Sequence, residues 1–340
     1  MVEMFFVHPA VAWMAPASKQ GTYFETMRFI SGMVAPVFLT LAGIAIAIIA
    51  EHGRKKSIDE HQLKRRVTTR GVEVWAIGYG LHLFMYLMGG ARGHWQQILK
   101  VDILHCIGAS LVIFPWVAWP RHRLNLAALL FALLIPFAAM LLFRLPVEDV
   151  LPVGVSGYFK TNAPMTQFAL IPYATWVAFG LFIGPLLLAG LDSPRKERRF
   201  WIAIVVAAVA LYAASRGMKW LFYHFELNRL GTEVPQVRGL PFVFWMKGAF
   251  VLVALFFFRI TAPAMDRLRR PVLVLLGQTS LFAYCVHLVI VYSPLGSLLR
   301  HRLTALEHFA SCIALFAVMV LLSLAWVRVR PRLRRRRGRV

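Results

Sequence analysis

The sequence contains few acidic residues and few cysteines. It has 15 aspartates and glutamates against 38 lysines and arginines, which gives a formal net charge of +23. Its cysteines, Cys106, Cys285 and Cys312, are odd in number, far apart and enclosed by apolar residues. This arrangement argues against a disulfide framework and against a zinc site. We interpret the cysteines as small apolar side chains inside the fold.

Signature motifs of several soluble enzyme classes are also missing. The sequence contains no GxSxG, no Walker loop and no GxGxxG. Neither a serine-hydrolase elbow nor a nucleotide-hydrolysing motor is therefore indicated. Because no HxxxH or HExxH spacing occurs either, we predict that the protein binds no metal.

Apolar residues, by contrast, are abundant and form long runs. They make up 59% of the 340 residues, whereas soluble domains contain roughly 45–50%. A helix needs about 20 apolar residues to cross the hydrocarbon core of a membrane. Nine full spans are predicted, at residues 30–50, 71–89, 101–119, 124–143, 169–190, 200–222, 241–259, 271–293 and 306–326.

The apolar segment at the beginning, Met1 to Ala15, is too short to cross a membrane. We interpret it as the outer part of a tenth helix, whose beginning and cytoplasmic leader are missing. The predicted fold class is therefore all-α: a polytopic membrane helix bundle of about ten transmembrane helices, the first of them truncated. We expect a single transmembrane domain over residues 1–326 and a basic cytoplasmic tail over residues 327–340.

Basic residues alternate between the two sides of the predicted bundle. Of the 38 lysines and arginines, 25 lie in one set of alternate loops and in the tail. The positive-inside rule makes these loops cytoplasmic, and both termini are cytoplasmic if the first helix is complete. We expect a multi-pass protein of the cell inner (plasma) membrane, with membrane lipids as partners. We interpret the tail as a topology signal that contacts anionic lipid, and we expect no nucleic acid as a partner.

Ionisable residues inside the spans are costly and are therefore candidates for function. Several share the outer half of the membrane in the predicted orientation: His8, His82, Asp102, His105, Lys247 and His287. Glu73 alone lies clearly in the inner half. This depth pattern predicts one cavity that opens to the outside. For His82 and His287 the alternative is a hydrogen bond that joins two helices.

Asp102 and His105 are three residues apart, so they lie on the same face of one helix. An aspartate beside a histidine orients the ring and stabilises its protonated form, as a general base requires. We therefore predict that this pair and His8 are functional.

Four apolar segments carry a pattern of small and polar residues. They are MVEMFFVHP, GMVAPVFLTLAGIAIAI, VDILHCIGASLVIF and LGQTSLFAYCVHLVIVY. The last has the form G-x-x-S-L-x-x-Y-x-x-H, at Gly277, Ser280, Leu281, Tyr284 and His287. Together they resemble membrane-bound acyltransferases, the group that includes acyltransferase-three enzymes and heparan-α-glucosaminide N-acetyltransferase. The opening leader of that family and the second histidine before its second helix have no counterpart here.

The resemblance implies a bundle that moves an acyl group, with acetyl as the expected group, from cytosolic acyl-CoA to an acceptor across the membrane. His8 matches the first-helix histidine of the family, its general base. We expect His8, Asp102 and His105 to be catalytic. The basic residues Lys64, Arg65, Arg66 and Arg70 resemble the cytoplasmic arginine motif and are expected to bind the phosphates of CoA.

Four further residues are expected to bind substrate: His82, Arg216, Lys247 and His287. Of these, Lys247 or Arg216 is expected to contact either the oxyanion or the acceptor. The predicted function is transfer of an acyl group to a hydroxyl or amine of an extracytoplasmic glycan or similar small acceptor. One alternative is a proton-coupled transporter or exporter of a small molecule, because intramembrane His, Asp and Lys groups also serve as relays. Another is a non-catalytic partner in an envelope assembly.

Overall fold

The computed structural model describes residues 2–91, 94–160, 166–225, 240–268 and 270–337. Within them the chain forms helices and two isolated β-bridges, and no strand. The helices of two turns or more are α1 (Met4–Trp13), α2 (Thr22–Lys55), α3 (Glu60–Met88), α4 (Ile103–Val117), α5 (Leu126–Leu142), α6 (Leu170–Gly190), α7 (Pro194–His224), α8 (Leu240–Leu268), α9 (Arg270–Gln278), α10 (Ser280–Tyr292) and α11 (Ala305–Arg337). Every predicted span overlaps one of these helices, and the all-α fold class is confirmed.

The number of full-length spans is smaller than predicted. By length and composition, five helices among the described residues are able to cross a membrane: α2, α6, α7, α8 and α11. A sixth span exists if α9 and α10, which meet at an angle of 83°, count as one broken span. Helix α3, with 29 residues, is not among them.

Helices α1, α4 and α5 are apolar but short, with 10, 15 and 17 residues. Capping residues explain the late starts of two of them. Asp102 accepts hydrogen bonds from the backbone N–H groups of Leu104 and His105, so α4 begins at Ile103. Asn125 accepts one from Ala128, so α5 begins at Leu126. Such caps satisfy backbone donors that have no partner within the helix.

The chain divides into two compact units. The first contains Met1–Val34, Phe84–Arg92 and Arg259–Val340. Its core includes Phe5 and Trp13 of α1, Leu276 of α9, Val291 of α10 and Met319 of α11. The Trp13 indole N–H also donates to the Val291 carbonyl at 3.1 Å, which joins α1 to the end of α10.

The second unit contains Ala35–Leu83 and Gly93–Phe258. In this unit the backbones of helices α2 and α6 are in direct contact. A Cβ atom at Gly180 would lie 2.0 Å from the Thr40 carbonyl oxygen, and one at Gly43 would lie 2.1 Å from the Val177 carbonyl oxygen. Such contacts of small residues are typical of helix packing in membranes, because they permit close van der Waals contact.

The domain boundaries suggested by the sequence stay a prediction. Helix α11 runs without interruption through position 326, where the tail was expected to begin, and ends at Arg337. Residues 226–239, between α7 and α8, lie outside the described residues.

Candidate active site

Three polar side chains of the first unit meet around α1. The His8 Nδ1 atom lies 3.3 Å from the hydroxyl oxygen of Tyr292. The His8 and His287 rings have their centroids 5.1 Å apart. Phe5 and Tyr284 pack edge-on against the His287 ring at 5.3 and 5.4 Å. We call His8, His287 and Tyr292 the His8 site.

His287 is completely buried, and its tautomer follows from one contact. Its Nδ1 atom lies 2.9 Å from the Ala283 carbonyl oxygen, one turn earlier on α10. Because a carbonyl oxygen only accepts, Nδ1 carries the hydrogen and Nε2 keeps a lone pair. Within the part of the chain that the structure describes, that buried Nε2 atom has no hydrogen-bond partner. It is therefore an unused acceptor beside His8, suited to an N–H or O–H of a bound molecule.

A second polar cluster lies in the other unit, at the N-terminus of α4. One Asp102 carboxylate oxygen lies 2.7 Å from His105 Nδ1, and the other lies 3.2 Å from His82 Nε2 of α3. The first oxygen also caps α4 through the Leu104 N–H at 2.9 Å. We call Asp102, His82 and His105 the Asp102 site. The structure thus brings together the predicted Asp102–His105 pair and adds a second imidazole.

The two imidazoles of the Asp102 site differ in surroundings. His105 is fully buried, and a Cβ atom at Gly78 would lie 2.9 Å from its ring, so only glycine fits there. The Tyr79 ring packs edge-on against the His105 ring at 4.1 Å. His82 keeps 12% of its side chain exposed and is the more accessible of the two imidazoles. In the described residues, neither His82 Nδ1 nor His105 Nε2 has a hydrogen-bond partner.

Tyr79 extends this network away from the carboxylate. Its hydroxyl lies 2.9 Å from the Tyr158 hydroxyl, which also accepts the Trp75 indole N–H at 2.5 Å. Trp75, Tyr79 and His82 follow one another at helical spacing along α3, so one face of that helix carries the polar groups. The same face therefore supplies both the network and one imidazole of the Asp102 site.

The predicted CoA-binding residues separate into two environments. Lys64 is buried, forms an ion pair with Glu60 at 2.8 Å and lies over the rings of Trp116 and Trp119. Hydrogen bonds from Arg121 and from Lys64 lower the pKa of Glu60 to about 2. The ammonium group of Lys64 is thus committed to contacts within the protein.

Arg65, Arg66 and Arg70 are exposed, and two of them border a groove between α2 and α3. This groove has a volume of about 560 Å³. Its walls are formed by Ile46, Ile49, Leu63, Val67 and Leu111, with the Arg66 and Arg70 side chains beside them. Arg70 also pairs with Glu73 at 2.8 Å. Basic groups next to an apolar groove suit an amphiphile with a phosphate head.

The remaining predicted substrate residues lie elsewhere in the second unit. Arg216 is exposed near the end of α7, beside a surface hollow of about 450 Å³ lined also by Lys219, Trp220 and Tyr223. Lys247 is half-buried on α8. Their predicted roles as substrate-binding residues stay predictions.

Residues 1–211 match the sequence model of the family described as heparan-alpha-glucosaminide N-acetyltransferase, catalytic. The match covers more than half of the chain. The protein belongs to this N-acetyltransferase family. The resemblance to membrane-bound acyltransferases is therefore confirmed. Of the three protein classes considered from the sequence, namely an enzyme, a transporter and a non-catalytic partner, the enzyme is correct. The comparison with individually curated proteins returned no match.

The family match covers some of the candidate residues and not others. It includes His8, the Asp102 site and the basic residues from Lys64 to Arg70, but it ends before Arg216, Lys247 and His287. No group of three or more His, Cys, Asp or Glu side chains in the described residues is arranged to hold a metal ion.

Several residues of these clusters were not identified from the sequence. Tyr292 ends the segment LGQTSLFAYCVHLVIVY but lies outside its G-x-x-S-L-x-x-Y-x-x-H pattern, and Tyr158 lies in none of the quoted segments; only the fold brings them to His8 and Tyr79. His308 is different, because it lies inside the predicted span 306–326 and is fully buried. The rule that selected the other intramembrane histidines applies equally to His308.

Proposed function

We propose that this N-acetyltransferase moves an acetyl group from cytosolic acetyl-CoA to an amine or hydroxyl of an extracytoplasmic glycan or similar small acceptor. The observation that carries the proposal is the contact of His8 with Tyr292 and His287, in a family whose chemistry is acetyl transfer. A histidine fixed by a second polar group is the usual arrangement of a general base.

His8 has the chemistry of the base. When its Nδ1–H donates to the Tyr292 oxygen, Nε2 holds the lone pair that accepts a proton. The acceptor nitrogen or oxygen loses its proton to His8 and attacks the thioester carbonyl. A C–N or C–O bond forms and the C–S bond breaks. CoA leaves as a thiolate, which takes up the proton that His8 releases, so the products are the acetylated acceptor and CoA thiol.

His287 supports the proposal as a substrate-binding residue. Its buried Nε2 lone pair lies on the ring that faces His8, and it has no partner in the described residues. An acceptor N–H or O–H that donates to this atom would be held beside the base. Burial of the site strengthens such a hydrogen bond, because little water competes for it.

The Asp102 site supports a second proton-handling role. The Asp102 carboxylate lies between the two imidazoles, with one oxygen 2.7 Å from His105 Nδ1 and the other 3.2 Å from His82 Nε2, so it can accept a hydrogen bond from either ring. We propose Asp102 and His105 as catalytic residues, with His82 as the more accessible imidazole of the site. Arg216 and Lys247 remain the proposed groups for the acceptor or the oxyanion.

For the donor we propose the groove between α2 and α3. The exposed guanidinium groups of Arg66 and Arg70 suit phosphate oxygens, and Arg65 adds a third positive charge on the same helix. Lys64 belongs to the sequence-predicted set, and its pairing with Glu60 makes it the weakest member of that set.

The test is acetyl transfer by purified protein from acetyl-CoA to glucosamine, an amine-bearing sugar. We expect His8→Ala to abolish transfer while acetyl-CoA still raises the melting temperature, because binding of a ligand to the folded state stabilises it. His122→Ala, which changes an exposed histidine outside the proposed sites, is the matched control. Full activity of His8→Ala would contradict the base assignment, and no stabilisation of the wild-type protein by acetyl-CoA would contradict the donor.

A further inference from the structure

One buried imidazole near the His8 site takes no part in the proposed chemistry. His308 lies on α11 and is completely buried. Its Nε2 atom is 3.0 Å from the Phe6 carbonyl oxygen of α1, and its Nδ1 atom is 2.8 Å from the Tyr23 hydroxyl of α2. A single side chain thus connects three helices of the first unit, and one of its contacts is two residues from His8.

The donors and acceptors of these contacts are fixed by elementary chemistry. The Phe6 carbonyl only accepts, so His308 Nε2 carries the hydrogen and donates it. In the neutral ring Nδ1 then accepts, and the Tyr23 hydroxyl donates to it. Cys312, one turn further along α11, lies 3.2 Å from the same Nε2. Both nitrogens of His308 are satisfied, in contrast to His287, so the His308 ring holds one orientation.

The other end of α1 is attached to the segment that leads into α11. The Ala15 N–H donates to the Leu303 carbonyl, and the Leu303 N–H donates to the Trp13 carbonyl. The His301 N–H donates to the Ala12 carbonyl. His8 therefore lies between two attachments, one at Phe6 and one at Ala12 to Ala15, and both lead to residues 301–308.

Helix α1 needs such attachments because it is weak at the position of His8. It has only ten residues, and Pro9 follows His8 directly. A proline inside a helix removes one backbone hydrogen bond and disturbs the preceding turn. The rotation of α1, and with it the direction of the His8 ring, then depends on contacts from outside the helix.

We propose that His308, held by Tyr23, is a positioning residue that sets α1 so that His8 meets Tyr292 and His287. This proposal rests on the proposed role of His8 as the base. A misplacement of about 1 Å at a reacting group costs on the order of 100-fold in rate. Loss of the His308 contact to Phe6 should therefore lower kcat. The groove proposed for the donor should be unchanged.

The experiment compares His308→Ala, His308→Gln and Tyr23→Phe in acetyl transfer to glucosamine, with rates normalised to folded protein. We expect His308→Ala to lower kcat by about 10- to 100-fold and to leave the KM for acetyl-CoA within about twofold. The acid limb of the pH profile of kcat/KM should shift, because that limb reports the base. His308→Gln should recover most of the loss, since its amide N–H still reaches Phe6.

Ser311→Ala is the matched control on the same helix. Its hydroxyl bonds to the Glu307 carbonyl within α11, so we expect wild-type kcat and pH profile. The proposal is overturned if His308→Ala has wild-type kcat per folded protein. It is equally overturned if kcat falls with an unchanged pH profile and without rescue by glutamine, because a purely structural role predicts that pattern.

A second readout does not depend on the acceptor. Diethyl pyrocarbonate modifies unprotonated imidazoles, and mass spectrometry reports its rate at His8. We expect His308→Ala to change this rate by about threefold or more relative to wild type and Ser311→Ala, since about 0.7 kcal/mol corresponds to that factor. An unchanged rate overturns the positioning role. If His8→Ala is fully active, the base assignment fails, and the labelling rate still decides whether His308 positions α1.

Discussion

At the scale of single residues, the Asp102 carboxylate lies among four nitrogen atoms of the second unit. It faces the N–H groups of Leu104 and His105 and the ring nitrogens of His105 and His82. A buried carboxylate is costly unless donors surround it. The cluster thus explains how an acidic residue is retained at the end of an apolar helix.

Replacement of Asp102 by asparagine tests this account. Asparagine caps helices about as well as aspartate, so the change isolates the bonds to the imidazoles. Asparagine replaces one charged carboxylate oxygen by a neutral NH₂ group, so the ring contacts lose a charged acceptor, and the free energy of unfolding should fall by about 1–3 kcal/mol. Denaturant unfolding in detergent measures the change, with the exposed Asp149→Asn as control. Equal values for the two variants would show that the imidazole contacts do not contribute.

The sequence predicted some of these contacts because they are local. Asp102 and His105 are neighbours on one helix, so their spacing alone placed them together. His82 and Tyr292 reach their partners from distant parts of the chain, and no spacing encodes that approach. Lys64 was predicted to bind CoA, yet its position beside Glu60 and two tryptophans depends on helix packing that the sequence does not display.

At the scale of helices, hydropathy located the apolar segments well and their ends poorly. Capping by Asp102 and Asn125 shortens α4 and α5, and the 83° bend divides the predicted span 271–293 into α9 and α10. The sequence at this bend contains no charged residue, so the mean hydropathy of the segment does not reveal the bend. The close contact of α2 with α6 was likewise not predicted, because glycine carries no hydrophobic signal.

Replacement of Gly180 by alanine should weaken the packing of α2 against α6. The new methyl group would lie 2.0 Å from the Thr40 carbonyl oxygen, so α2 and α6 must separate. We expect a loss of about 1–3 kcal/mol in the free energy of unfolding, the usual cost of overpacking. Gly217→Ala on α7 is the control, because nothing lies within 4 Å of a Cβ atom there. If both variants unfold alike, the helices are not in backbone contact.

At the scale of the whole molecule, charge and family membership give complementary information. The match over residues 1–211 establishes an acetyltransferase, but a family match does not orient the chain in a membrane. The predicted orientation comes from the basic residues, which are concentrated in alternate loops between the predicted spans. The proposed direction of acetyl transfer depends on both, because the donor is cytosolic only if the groove with Arg66 and Arg70 faces the cytoplasm.

The topology is testable with single cysteines. We expect a membrane-impermeant maleimide to label Asp149→Cys in intact cells and His122→Cys only after permeabilisation. Both positions are exposed, and they lie in loops predicted on opposite sides of the membrane. The native Cys106 and Cys312 are buried and Cys285 is partly exposed, so the wild-type protein measures the background labelling. The opposite labelling pattern would place Arg66 and Arg70 outside the cell, and the proposed transfer from cytosolic acetyl-CoA would then be wrong.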